Sequence, residues 1–91
     1  MKVGIIGCGH ISKEHILHIR RIKGAEIVGI CDINEENTLD KARQFGIQRT
    51  YRDASSLLEE TSPDVVHVLT PLQNHKQLSI QAIEAGCHVL S

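Results

Sequence analysis

Aromatic side chains are nearly missing from this sequence: Phe45 and Tyr51 make up the whole 2%, and there is no tryptophan. Base-stacking platforms of the kind that hold single-stranded nucleic acid are excluded. An excess of charge of one sign is missing too, with 10 Lys+Arg against 11 Asp+Glu and a formal net charge of −1. That balance gives no electrostatic drive toward nucleic acid or an anionic membrane, and neither is expected as a partner. No apolar run approaches the roughly 20 residues that span a bilayer, and no charged-then-apolar leader precedes Val3. Cysteine is sparse. Cys8, Cys31 and Cys87 are odd in number and lack C-x-x-C spacing, which predicts reduced thiols in a cytoplasmic protein. His15 and His18 stand at an i, i+3 spacing with no third ligand nearby, so they are expected to pack rather than to bind a metal. No Ser–His–Asp or Cys–His arrangement stands out, and Glu59-Glu60 simply closes a short helix.

What is present fits one small domain: 91 residues, 41% hydrophobic and 23% charged. Lys2–Ile6, Ala25–Cys31, Asp64–Leu69 and His88–Leu90 read as strands, with a weaker one at Arg49–Tyr51. Their apolar residues run almost continuously, as in strands buried on both faces of a parallel sheet. Between them the period is helical. Ile11–Lys23 is expected to turn Ile11, His15, Ile19 and Ile22 to one face. Asn34 caps a helix to Phe45 that points Leu39, Ala42 and Phe45 inward and stops at Gly46. Asp53 caps a short helix through Leu57 and Leu58 that ends at Ser62-Pro63. Asn74 with Gln77 resembles a capping box for a helix that buries Leu78, Ala82 and Ala85 before Gly86. His67, inside an apolar strand, is expected to be a hydrogen-bonded core histidine. Alternating strands and helices with short, right-handed crossovers imply an α/β fold, a doubly wound parallel sheet in three αβα layers. The expected strand order is 3-2-1-4-5, with a crevice between strands 1 and 4.

The segment Gly7-Cys8-Gly9-His10-Ile11-Ser12 carries most of the chemistry. It follows the first strand, opens the first helix and matches G-x-G-x-x-G/A apart from Ser12. Gly7 permits the tight turn, and Gly9 lets the backbone approach a pyrophosphate. Ser12 sits beside Ile19 on the sheet side, where close packing needs a small residue. Backbone N–H groups and the positive helix end then meet the phosphates. Asp32 ends the second strand 20 residues beyond Ser12, placed to accept hydrogen bonds from the adenosine ribose, with Ile33 beside it. A 2′-phosphate would meet the Asp32 charge, and Ile33-Asn34-Glu35-Glu36 supplies no cation to offset it. NAD is therefore expected over NADP.

Taken together, V-G-I-I-G-C-G-H-I-S-x-x-H, I-C-D, Y-R-D-x-x-x-L-L, D-V-V-H-V-L-T-P-x-x-x-H and A-G-C-H-V-L-S resemble the N-terminal domain of the Gfo/Idh/MocA oxidoreductases. The resemblance covers essentially the whole chain. It implies a Rossmann-like domain serving NAD(P)-dependent hydride transfer at a hydroxyl of a sugar, cyclitol or related compound. It further implies that Leu69, Thr70 and Pro71 lie along the nicotinamide side of the crevice, with His75 at its mouth. Two departures stand out. Cys87 replaces the family's usual lysine in A-G-K-H-V, and is expected to be a small packing residue. The family's E-K-P motif, with its catalytic lysine, would begin beyond Ser91. Residues 1–91 are thus read as a partial NAD(P)-binding domain without the catalytic and substrate domain, and no catalytic or metal-binding residue is assigned within them. The small polyol or sugar substrate belongs to the longer parent. The last strand would leave an open sheet edge, through which self-association is expected. A different class of function, a stand-alone redox-sensing module, also fits T-P-x-x-x-H and A-x-x-A-G-x-H-V, which resemble Rex-type repressors. Such a repressor needs a winged-helix segment, whereas this chain opens directly on its first strand. An aspartate- or biliverdin-reductase-like enzyme would keep the cofactor and change the substrate.

Overall fold

Five short apolar segments pair side by side, all parallel, in the computed structural model. It describes residues 1–91, the side chain of Leu72 excepted. The elements run β1 (Lys2–Ile6), α1 (Ser12–Arg21), β2 (Glu26–Cys31), α2 (Glu35–Phe45), β3 (Thr50–Tyr51), α3 (Ala54–Thr61), β4 (Val65–Val68), α4 (Leu72–Glu84) and β5 (His88–Leu90). The sheet order is β3-β2-β1-β4-β5, as the alternating pattern predicts.

That order decides where the helices go. The chain moves outward from β1 through β2 to β3, then crosses back to β4 and on to β5. Right-handed crossovers therefore put α1 and α2 on one face and α3 and α4 on the other. The packing follows. Val3 and Ile5 of β1 meet Ile16, Ile19 and Ile30 on the first face. Ile6 meets Leu57, Val66, Val68 and Ala82 on the second. Alternate residues of one strand thus serve two cores, which is why the strand is apolar throughout. Cys8, Cys31 and Cys87 are free and buried. Cys87 donates its S–H to the Pro63 carbonyl at 3.2 Å, a packing role as expected.

Several local expectations shift. α1 spans Ser12–Arg21 rather than 11–23, and its buried stripe is Ser12, Ile16 and Ile19. Ile11 and Ile22 are exposed and His15 is half-buried: Ile11 precedes the helix, and the face turned to the sheet centres on Ile16 and Ile19. In α2, Asn34 Oδ1 caps Glu36 N–H at 3.0 Å and Gly46 closes the helix in the left-handed region, as expected. Ala42 and Phe45 pack inward, but Leu39 is exposed; Thr38 and the stem of Lys41 take its place in the interior. Asp53 caps α3 through Ser56 N–H at 2.7 Å. α4 starts at Leu72, with Pro71 rather than Asn74 at its N-cap and no side-chain cap. Proline is suited to a helix start, where its missing N–H leaves no bond unmade. Asn74 lies in the first turn, and Ala85 is exposed rather than buried. Ala25, Arg49, Asp64 and Leu69 fall just outside their expected strands.

His67 departs from expectation in a way that has consequences. It is buried against α1, its ring edge-on to His15 at 5.5 Å between centroids, and its Nδ1 has no hydrogen-bond partner. Burial, and then the proximity of His15 and His18, holds its pKa below the usual 6.5. Protonation therefore favours the unfolded chain, so the stability His67 gives is present above about pH 6.5 and is lost as pH falls below it. Urea midpoints compared at pH 8 and pH 5.5 should show the native chain weaker at 5.5. His67→Val should shrink that difference; an unchanged difference would contradict this assignment.

Candidate functional site

The two crossovers diverge where the chain leaves β1 and β4, and the segments after those strands meet there. Gly7 holds the meeting point. Its φ of 110° lies in the left-handed region, and a Cβ there would sit 2.8 Å from the Leu69 carbonyl carbon. Only glycine fits that close approach. Its N–H donates to the Cys31 carbonyl at 2.8 Å, while Leu69 N–H donates to the Ile6 carbonyl at 2.8 Å. The glycine loop is thus tied to the ends of both β2 and β4.

Asp32 is the second tie. Its Oδ2 accepts the Cys8 N–H at 2.6 Å and its Oδ1 accepts the Asn34 N–H at 2.8 Å. One carboxylate therefore positions the glycine loop and the start of α2 together. Each oxygen keeps lone-pair capacity for a further donor. Cys8 turns its side chain into the core, its S–H donating to the Cys31 carbonyl at 3.4 Å. Burial, with Asp32 adding to it, pushes the Cys8 thiol up to about 12, so it stays protonated and is no nucleophile. Cys8 belongs to the site as scaffold. Ser12 is fully buried, and its hydroxyl donates to the Gly9 carbonyl at 2.6 Å. That bond explains how serine serves where a smaller residue is usual.

With those ties made, the loop keeps one set of groups free. Among the described residues, the N–H groups of Gly9, His10 and Ile11 donate to no protein acceptor. They head α1, where the helix dipole is positive. A Cβ on Gly9 would meet nothing within 4 Å. The fold itself leaves that space open, and the residues lining it fit the backbone approach of a phosphate.

Two cavities flank the loop. The larger, about 660 Å³, brings together Gly9, His10, Ile11, Leu69, Pro71 and His75. The smaller, about 290 Å³, lies between the end of β2 and the starts of α3 and α4. Asp32, Ile33 and Thr70 line both. Every residue singled out from the sequence apart from Gly7, Cys8 and Ser12 lines a cavity, and those three shape the loop between. The structure adds His15 and Asn37 to the larger cavity, and Arg52, Asn74 and Gln77 to the smaller. Arg52 pairs with Glu35 at 3.5 Å. Arg52 shares the smaller cavity with Asp32, although Ile33-Asn34-Glu35-Glu36 next to Asp32 supplies no cation. Only the turn after β3 brings it there, which no local motif announces. Among the described residues, no group of three metal-ligating side chains comes together, and no helix is long and apolar enough to cross a membrane.

The family model of oxidoreductases with an NAD-binding Rossmann fold, Gfo/Idh/MocA, matches residues 1–91. The chain belongs to that family. It is 40% identical over 85 residues to a D-apiose dehydrogenase of Paraburkholderia graminis, covering 93% of this chain and 23% of the relative. It is 32% identical over 91 residues to a D-glucoside 3-dehydrogenase of Escherichia coli, 99% of this chain and 26% of the relative. Among solved structures, the WlbA dehydrogenase of Bordetella pertussis in complex with NADH and UDP-GlcNAcA superposes with a TM-score of 0.89 at 34% identity, over 98% of this chain and 28% of that one. An Agrobacterium radiobacter oxidoreductase in complex with NAD+, L-tartaric acid and magnesium superposes with a TM-score of 0.92 at 31% identity, over 98% and 26%. The chain thus spans about a quarter of the length of the relatives it matches.

The two loop glycines should separate on substitution. Gly7→Ala strains the backbone and clashes with Leu69, lowering stability by about 1–3 kcal/mol in urea unfolding. Gly9→Val should leave the urea midpoint nearly unchanged but weaken NADH binding by about a hundredfold or more, as read by fluorescence titration. Equal loss of stability in both variants would contradict the division of roles.

Proposed function

We propose that residues 1–91 form the NAD-binding part of a dehydrogenase that acts on a hydroxyl of a sugar, cyclitol or similar polyol. The observation that carries this reading is the set of free N–H groups at Gly9, His10 and Ile11 beneath open space, beside an Asp32 carboxylate with acceptor capacity to spare. The N–H groups and the α1 dipole hold the pyrophosphate. Asp32 accepts from the adenosine ribose, with Ile33 against it. Leu69, Thr70, Pro71 and His75 line the nicotinamide side. When bound, the nicotinamide supplies the hydride acceptor or donor. The residues of this chain orient it and cover it. Cys8, His10, Ile11 and Ser12 contribute through backbone or packing rather than reactive side chains.

The substrate class rests on relatives that include dehydrogenases of apiose, glucosides and inositol. The oxidoreductase family match favours this reading over a redox sensor. The groups that bind and activate the polyol belong to sequence not represented in these residues. The outer edge of β5, with Leu90 exposed, suits pairing with another strand, including that of a second copy.

The cofactor is NAD rather than NADP in this reading. A 2′-phosphate would face the Asp32 carboxylate, which carries this preference. Fluorescence titration should show NADH bound at least about tenfold more tightly than NADPH. Asp32→Asn keeps one acceptor oxygen, for the Cys8 N–H, gives up the bond from the Asn34 N–H and removes the charge, and it should narrow that preference. Tighter binding of NADPH by the native chain would overturn the assignment.

A further inference from the structure

Three histidines line the larger cavity: His10 from the glycine loop, His15 from α1 and His75 from α4. Among the described residues no three such side chains converge on a metal, so what they bring to the cavity is charge. His15 differs from the other two in how it is held. Its ring stands edge-on to that of buried His67, 5.5 Å between centroids, which seats it between the cavity and β4. Burial, and then the nearness of His15 and His18, holds the pKa of His67 below the usual 6.5. A proton taken up by the pair therefore settles on His15, at the cavity. Nothing next to it cancels that charge. His67 faces it from β4 and His18 follows one turn along α1, while His10, His75, Asp32 and the terminal Ser91 share the cavity. Asp32 is already engaged by two backbone N–H groups, and neither ion pair among the described residues includes His15.

Resting on the cofactor reading above, we propose that His15 makes the site tell the oxidised cofactor from the reduced one. In that reading the larger cavity receives the nicotinamide. The ring of NAD+ carries a positive charge and that of NADH carries none, while the pyrophosphate, riboses and adenine are the same in both. A protonated His15 therefore repels the ring of NAD+ and not that of NADH. Its attraction to the pyrophosphate acts on both forms and cancels in the comparison. Histidine gains its charge between pH 8 and pH 5, so acid shifts the site toward NADH. By reciprocity, NAD+ binding in that range expels a proton that NADH leaves in place. His15 acts here as a specificity residue for the redox form of the cofactor, and passes no proton to the substrate.

The test is the ratio of dissociation constants, NAD+ over NADH, with NADH followed by its fluorescence and NAD+ by displacing it. Between pH 8 and pH 5.5 the native 91-residue chain should show that ratio rise at least about threefold. His15→Gln, which stays polar but cannot titrate, should hold the ratio within about 1.5-fold over the same range. Both dinucleotides bind the folded chain, so the ratio does not depend on the fraction folded. A loss of stability, in acid or in the variant, cannot imitate the result. If NADH binds but the native ratio is flat, the role of His15 is overturned and the cofactor reading stands. A rise that survives His15→Gln, whether or not His75→Gln removes it, overturns it equally. If neither dinucleotide binds at either pH, both fall together.

Discussion

The site depends on how closely the glycine loop closes onto the ends of its neighbouring strands. Gly7 lies against the Leu69–Thr70 backbone with no room for a Cβ, and the Cys8 N–H is held by Asp32. These contacts consume the donors at the start of the loop and leave those of Gly9, His10 and Ile11. The binding groups are free because the preceding ones are fully engaged. A looser loop would have to order itself on binding and would lose affinity to that cost.

The same closure creates the two cavities. Helices on opposite faces diverge where the strand order reverses, between β1 and β4, and the loop stands in the opening. A ligand with a charged middle and two different ends suits this geometry. Asp32 has a double part in it. As an internal acceptor it orders the loop and the start of α2, and in the proposed reading its remaining lone pairs serve the ribose. Removing it therefore disturbs scaffold and recognition together, and Asp32→Asn separates them better than Asp32→Ala.

Much of this was legible in the residues. The continuous apolar strands, the caps at Asn34 and Asp53 and the glycine loop gave the sheet order and the crevice, because those signals are local and strong. The helical phase was less legible. Isoleucines at positions 11, 16, 19 and 22 support more than one stripe, and packing against Val3, Ile5 and Ile30 takes Ile16 and Ile19. In α2, whose start is as expected, Leu39 is exposed while Thr38 and the Lys41 stem take the interior. Asn74 looked like a cap because asparagine favours that place, but Pro71 begins the helix earlier. Arg52 and Asn74 reach the smaller cavity from different elements, and His15 reaches the larger one over His67. Such meetings follow from the crossing of the sheet and leave no spacing pattern behind.

The central claim is that the free backbone N–H groups at the head of α1 hold the pyrophosphate of NADH. Amide chemical-shift mapping of the ¹⁵N-labelled chain during NADH titration tests it most directly. The account predicts the largest saturable shifts at Gly9, His10 and Ile11, with Ile33 and Thr70 following. Saturable binding that leaves those three amides unmoved, or that shifts residues around Gly46–Arg49 instead, would contradict it.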